Sequence, residues 1–193
     1  MYTVEQNKKL IEKYPYLMPI NLWTLEPVKD YDFDYIRGDY ELPDGFMRCF
    51  LLYCKAIRPG LIEADFIDKF KFSQIKEKYN RLVMYNCGYP EAIDDFEGIY
   101  SRLSYHICQI CGKPATVESQ GWLASYCDDC IKQFRDQERW EPIEPDFTLR
   151  YQRYNKETDK FDNFEVDCLP AWEEYLKCVK MTDEEFVNYL LED

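Results

Sequence analysis

The sequence predicts an α+β fold in which helices and short β-hairpins surround a small four-cysteine finger. Three observations carry that expectation. Cys108, Cys111, Cys127 and Cys130 form two CxxC pairs separated by fifteen residues. Apolar residues recur at helical spacing through much of the first hundred positions and again at the C-terminus, whereas alternating apolar runs flank Gly121 and the segment 156–160. The 193 residues are 46% hydrophobic, with 12 Phe, 17 Tyr and 4 Trp, so the chain can bury a core as one domain or as two small units.

Taken in order, Thr3 and Gln6 form a capping box for a first helix, in which Val4, Leu10 and Ile11 provide the apolar face. Tyr14 and Pro15 stop it. Pro15, Pro19 and Pro27 then impose extended backbone, and the segment Tyr14 to Trp23 reads as a strap across the core. A second helix starts near Asp44, with Met47, Phe50, Leu51, Cys54 and Ile57 on one face. Pro59 and Gly60 mark a break or kink, and Leu61 to Phe70 read as a helical continuation. Ser73 suits the start of a short turn through Gln74, Ile75 and Tyr79 that ends at Asn80 and leads into the β-rich run Leu82 to Tyr85. A hairpin turning at Asn80 is the competing reading. Pro90, Glu91, Asp94 and Asp95 open a further helix to about His106.

Gly112, Lys113 and Pro114 after Cys111 suit a metal-binding knuckle. Thr116 to Tyr126 reads as a hairpin turning at Gly121, and Asp128 to about Trp140 as a helix starting at the second cysteine pair. Knuckle, hairpin and helix in that order describe a treble clef, with a zinc ribbon as the related form. Beyond Pro142 and Pro145, Phe147 to Arg153 and Phe161 to Cys168 predict a hairpin. Pro170 opens one short helix, and a capping box of Thr182 and Glu185 opens another. The expected organisation is a mainly helical region with a short β element over 1–107, a four-cysteine zinc finger over 108–140, and an acidic β-hairpin with two helices over 141–193, packed on the rest.

The cysteine spacing is that of a four-thiolate zinc site. Each CxxC presents two soft donors from one tight turn, and two such turns complete a tetrahedral shell around one structural Zn2+. Two disulfides, a redox CxxC and an iron–sulfur cluster are the competing readings. No apolar leader begins the sequence, which favours reduced thiols in a cytoplasmic protein, and iron–sulfur ligands usually cluster three close together. Cys49, Cys54, Cys87, Cys168 and Cys178 share no metal spacing and read as buried free thiols.

The chain carries 24 basic and 37 acidic residues, a formal net charge of −13. The finger offers only Lys113 against Glu118, Asp128 and Asp129, so direct nucleic-acid binding by this module is not expected. No run approaches the roughly 18 apolar residues of a membrane span. His106 is the only histidine, which removes most histidine-dependent catalysis and the multi-histidine metal sites of HNH-type nucleases. P-loop, GxSxG, dinucleotide-binding and zinc-deaminase patterns are absent, and a non-enzymatic role is expected.

One candidate contact surface stands out. Tyr31, Asp32, Asp34, Tyr35, Asp39 and Tyr40 interleave aromatic rings with carboxylates, a composition suited to a basic partner protein or to a solvated acidic loop. A competing surface is the basic run Lys69, Lys71, Lys76, Lys78 and Arg81 with Phe72 and Tyr79, which suits a nucleic-acid-associated zinc-binding regulatory protein.

The segments IEKYPYLMP (11–19), SQIKEKYNRLVMY (73–85), CQICGKPAT (108–116) and GWLASYCDDC (121–130) resemble small zinc-finger proteins of phages and prophages of Gram-positive bacteria. The resemblance covers about residues 8–135. In that group the position of Asn80 is often glycine, and the acidic tail is an addition. The resemblance implies a mobile-element context in a bacterial host. There the expected role is an accessory protein that binds and inhibits or modulates a host protein, such as a nucleic-acid-handling defence effector with a basic groove, in the manner of an anti-CRISPR.

Overall fold

Thr3 and Gln6 cap helix α1 (Val4–Lys13) reciprocally, as their spacing predicts, in a computed structural model that describes residues 2–88, 90, 93–134 and 140–192. Leu10 is fully buried, whereas Val4 faces solvent. The strap then enters the core: Tyr14, Tyr16 and Leu17 are buried, and the Tyr16 hydroxyl donates to the Cys54 carbonyl at 2.6 Å. It leaves the core earlier than expected. An Ile20–Pro27 bridge turns the chain outward, and Trp23 is 95% exposed.

A single 3-10 turn, Asp44–Phe46, leads into α2 (Met47–Glu63). The expected break at Pro59 does not occur. Pro59 lies on the exposed face, and Ile57 and Leu61, both fully buried, hold the helix in the core on either side of it. Nor does the helix run on to Phe70. It ends at Glu63, with Asp65 in the left-handed region at φ 52°.

The hairpin reading of 73–85 is the one that forms. Strands β1 (Phe72–Lys78) and β2 (Arg81–Asn86) pair antiparallel around a two-residue turn in which Tyr79 and Asn80 have φ of 52° and 61°. A turn with both central residues at positive φ matches the twist of a hairpin, and asparagine tolerates that conformation. Ile75, Leu82 and Met84 face inward.

Helix α3 (Asp94–Ser104) follows, and Glu91 lies outside the described residues. A small sheet of order β4–β3–β5 (Ser125–Tyr126, Val117–Ser119, Trp140–Pro142) builds the finger. The acidic segment contributes the ribbon β6 (Thr148–Asn155) and β7 (Lys160–Asp167), then α4 (Leu169–Cys178) and α5 (Asp183–Leu191) with the Thr182–Glu185 capping box. Helix α5 packs on α1 and α2, and α4 packs on α2 and α3. The aromatic centre is Tyr16, Phe50, Phe70 and Phe72 with Tyr53 and Tyr100, their ring centroids 5.0–6.1 Å apart. Mutual burial of such rings supplies much of the stabilisation. Cys49, Cys54, Cys168 and Cys178 are buried thiols, as expected, but Cys87 is exposed. No helix among the described residues is long and apolar enough to cross a membrane.

Candidate metal centre

The first cysteine pair is shaped by the backbone that follows it. The Cys108 amide donates to the Lys113 carbonyl at 2.8 Å, and the Gly112 amide returns to the Cys108 carbonyl at 3.0 Å. Gly112 makes this tight return with φ 73°, where a side chain would be strained. The second pair lies on a turn closed by the Ile131 amide donating to the Cys127 carbonyl at 3.0 Å. Backbone bonds beside the sheet bring the two turns together: Thr116 donates to the Tyr126 carbonyl at 2.9 Å and Gln109 to the Ser125 carbonyl at 3.0 Å.

The four sulfurs converge, all within 4.8 Å of one another, with Cys111 and Cys127 at 3.6 Å. A tetrahedron with metal–sulfur bonds of about 2.3 Å has edges of about 3.8 Å, so the cluster can close around one such ion with small side-chain adjustments. The 3.6 Å Cys111–Cys127 separation is far from a disulfide, which needs about 2.05 Å. Cys108, Cys127 and Cys130 are buried and Cys111 is exposed. Burial opposes charge on Cys127, but the amides of Cys130 and Asp129 and the neighbouring thiols outweigh it and hold that thiol below its ordinary value. Burial and the surrounding sulfurs push the Cys130 thiol up. A bound cation removes that conflict by favouring the thiolate at every position.

The finger departs from the expected treble clef. In place of a helix from Asp128 to Trp140, Ile131–Gln133 form one 3-10 turn and Phe134 is extended, residues 135–139 lie outside the described residues, and Trp140 is in strand β5. Aromatic packing explains this. Phe134 stacks on Tyr126 at 4.7 Å, Trp140 packs on Tyr126 at 5.0 Å, and Ser119 pairs with Trp140 across the sheet. The described part therefore takes the ribbon-like form, and amides of the second turn serve Cys127 in place of a helix terminus.

Several contacts key the finger to the rest of the chain. Gly45 donates its amide to the Gln109 carbonyl at 3.0 Å, and a Cβ on Gly45 would lie 1.9 Å from the Cys108 carbonyl oxygen. The buried Tyr175 hydroxyl donates to the Gly112 carbonyl at 2.5 Å. Asn80, fully buried at the hairpin turn, donates to the Ser125 hydroxyl and accepts from Gln109 Nε2 at 3.0 Å. None of these couplings is visible in the sequence, although Pro43-Asp44-Gly45 has the composition of a tight turn. His106 is buried, with Nε2 3.0 Å from the Asp146 carbonyl and its ring 4.4 Å from Phe147. It joins the finger's entry to the segment leading into β6.

The acidic aromatic loop lies elsewhere on the surface. Tyr31 packs on Phe33 at 4.6 Å and on Tyr35 at 5.5 Å, and Tyr35 packs on Tyr40 at 5.1 Å. Asp32, Asp34 and Tyr40 are exposed, whereas Tyr31, Tyr35 and Asp39 are half-buried. Asp39 is committed inward, accepting from the Ile36 amide at 2.8 Å, and Tyr31 donates to the Tyr35 carbonyl. Burial, followed by the nearby Tyr35 and three carboxylates, pushes the Tyr31 phenol up, so the ring stays neutral at physiological pH. No family model, curated protein or solved structure matches this chain.

Proposed function

We propose that the chain is a non-enzymatic binding protein whose four cysteines hold one structural Zn2+ and whose Tyr31–Tyr40 loop engages a basic surface on a partner protein. All-sulfur ligation favours zinc over magnesium or calcium, and a filled four-sulfur shell leaves no position for substrate. The observation that carries the binding role is the chain of four rings, Phe33, Tyr31, Tyr35 and Tyr40, each packed on the next outside the core, with exposed Asp32 and Asp34 beside it. Rigid rings give contact area at low entropic cost, and carboxylates select and steer a cationic partner.

In the phage context that the sequence resemblance implies, the partner is a cytoplasmic host protein that handles nucleic acid, and occupation of its basic groove inhibits it. An affinity capture from nuclease-treated bacterial lysate tests this reading. The parent chain is expected to retain one dominant partner at low salt and to lose it at high salt. The Asp32→Asn/Asp34→Asn/Tyr40→Ala variant, folded as the parent, is expected to retain none. Equal recovery by parent and variant, or recovery that vanishes with nuclease, contradicts it.

A further inference from the structure

We propose that the outward face of the β1–β2 hairpin binds single-stranded nucleic acid, independently of the acidic loop. The register places Gln74 opposite Tyr85, Lys76 opposite Val83 and Lys78 opposite Arg81. Directly paired residues share a face of the sheet, so these six side chains lie together, opposite the face that buries Ile75, Leu82 and Met84. Within residues 69–85 there are five cations, Lys69, Lys71, Lys76, Lys78 and Arg81, and one carboxylate, Glu77, in a chain of net charge −13. Glu77 is committed to the turn, accepting from the Asn80 amide at 2.6 Å.

The cations of this face lie over rings. Lys76 lies 5.1 Å from the Tyr85 centroid, Lys78 5.2 Å from Tyr79 and Arg81 5.4 Å from Tyr105. Among the described residues no ion pair joins Lys71, Lys76, Lys78 or Arg81 to a carboxylate. Lys69 is paired with Asp65 at 3.4 Å, and Glu118, at the edge of the face, accepts from Tyr105. Tyr79 and Tyr85 are 71% and 42% exposed, which costs apolar hydration and leaves two ring faces open to a ligand.

A sheet face with cations interleaved among exposed rings fits a ligand that is a chain of anions carrying planar bases. Phosphates meet the ammonium groups and unstacked bases lie on tyrosine. A duplex keeps its bases stacked inside and offers these rings nothing. The metal centre contributes indirectly, because Asn80 pins the tip of the hairpin to Gln109 and Ser125 of the finger and so holds the face rigid.

Fluorescence anisotropy of a labelled single-stranded oligonucleotide of about 15 nucleotides, titrated with the purified full chain, tests the proposal and needs no protein partner. Saturable binding is expected at low salt. Neutralising three or four phosphates gives a slope of log K against log salt of roughly −2 to −3. Lys76→Glu/Lys78→Glu is expected to weaken binding at least tenfold, and Tyr85→Ala by about fivefold or more, the loss of one stacked base. Lys177→Glu/Lys180→Glu changes net charge equally on α4 and the turn after it, and should leave binding unchanged. If the first pair does not fold, Lys76→Gln/Lys78→Gln replaces it. Absence of binding at low salt, equal weakening by the control pair, or equal affinity for a duplex overturns the proposal.

Discussion

Cys108→Ser and Cys130→Ser are each expected to abolish stoichiometric metal binding and to unfold the finger, which makes them the most damaging single substitutions in the chain. Both sulfurs are buried in the cluster, and among the described residues the finger's own buried cluster is Cys108, Cys127 and Cys130, with Tyr126 packed against it and the rings of Phe134 and Trp140 on Tyr126. So small a core cannot hold three short strands and two turns without a metal. Apparent binding energies of structural zinc are on the order of 10–16 kcal/mol in finger peptides, and in such systems binding and folding are one process. Cys111→Ser is expected to do less, because Cys111 is exposed and water can take its place at the metal. Metal content by elemental analysis, with thermal unfolding of each variant, checks the order. A Cys108→Ser protein that melts like the parent with full metal content contradicts it.

Gly45→Ala is expected to cost about 3 kcal/mol or more, at or above the upper end for overpacking, although the residue touches no metal. A Cβ there falls 1.9 Å from the Cys108 carbonyl oxygen and 2.8 Å from the Gln109 carbonyl carbon. Both atoms are backbone, and the Cys108 carbonyl is already engaged by the Gly112 amide at 3.0 Å, so neither can swing aside as a flexible side chain would. The first knuckle must then move off the Pro43–Phe46 segment and give up the Gly45–Gln109 hydrogen bond. Gly121→Ala is the comparison: nothing lies within 4 Å of its Cβ, so only the left-handed φ of 90° opposes it, at about 1–2 kcal/mol. Chemical denaturation of both variants at saturating zinc measures the difference. Because all four sulfurs belong to the finger, Gly45→Ala should keep its metal while losing stability. A Gly45→Ala protein as stable as the parent would show that the finger does not dock as described.

The features legible in the sequence are those decided by neighbours along the chain. Thr3 with Gln6 and Thr182 with Glu185 form their capping boxes within four residues, and the α4 and α5 faces Trp172, Tyr175, Phe186 and Leu190 are inward as their spacing predicts. The cysteine pairs likewise carry their geometry in their spacing, and their sulfurs meet. What sequence misplaces is decided across the fold. Residues 73–85 can begin as a helical turn or as a hairpin. The hairpin forms with Tyr79 at a positive φ while Asn80 is locked to Ser125 and Gln109 of a segment some thirty to forty-five residues away. The run from Asp128 to Trp140 reads as a helix starting at the second cysteine pair, yet the rings of Phe134 and Trp140 gather on Tyr126, and Trp140 pairs into a third strand. Pro59 signals a break that the burial of Ile57 and Leu61 overrides. Gly45 carries no local sign that a knuckle carbonyl will approach it.

The central claim is that Cys108, Cys111, Cys127 and Cys130 form one closed zinc site that holds the finger in place. X-ray absorption at the zinc edge of the purified protein tests it most directly. The account predicts one zinc per chain with four sulfur neighbours at about 2.3 Å and no nitrogen or oxygen in the inner shell. A shell containing a light-atom ligand, or a folded protein without zinc at these cysteines, would contradict it.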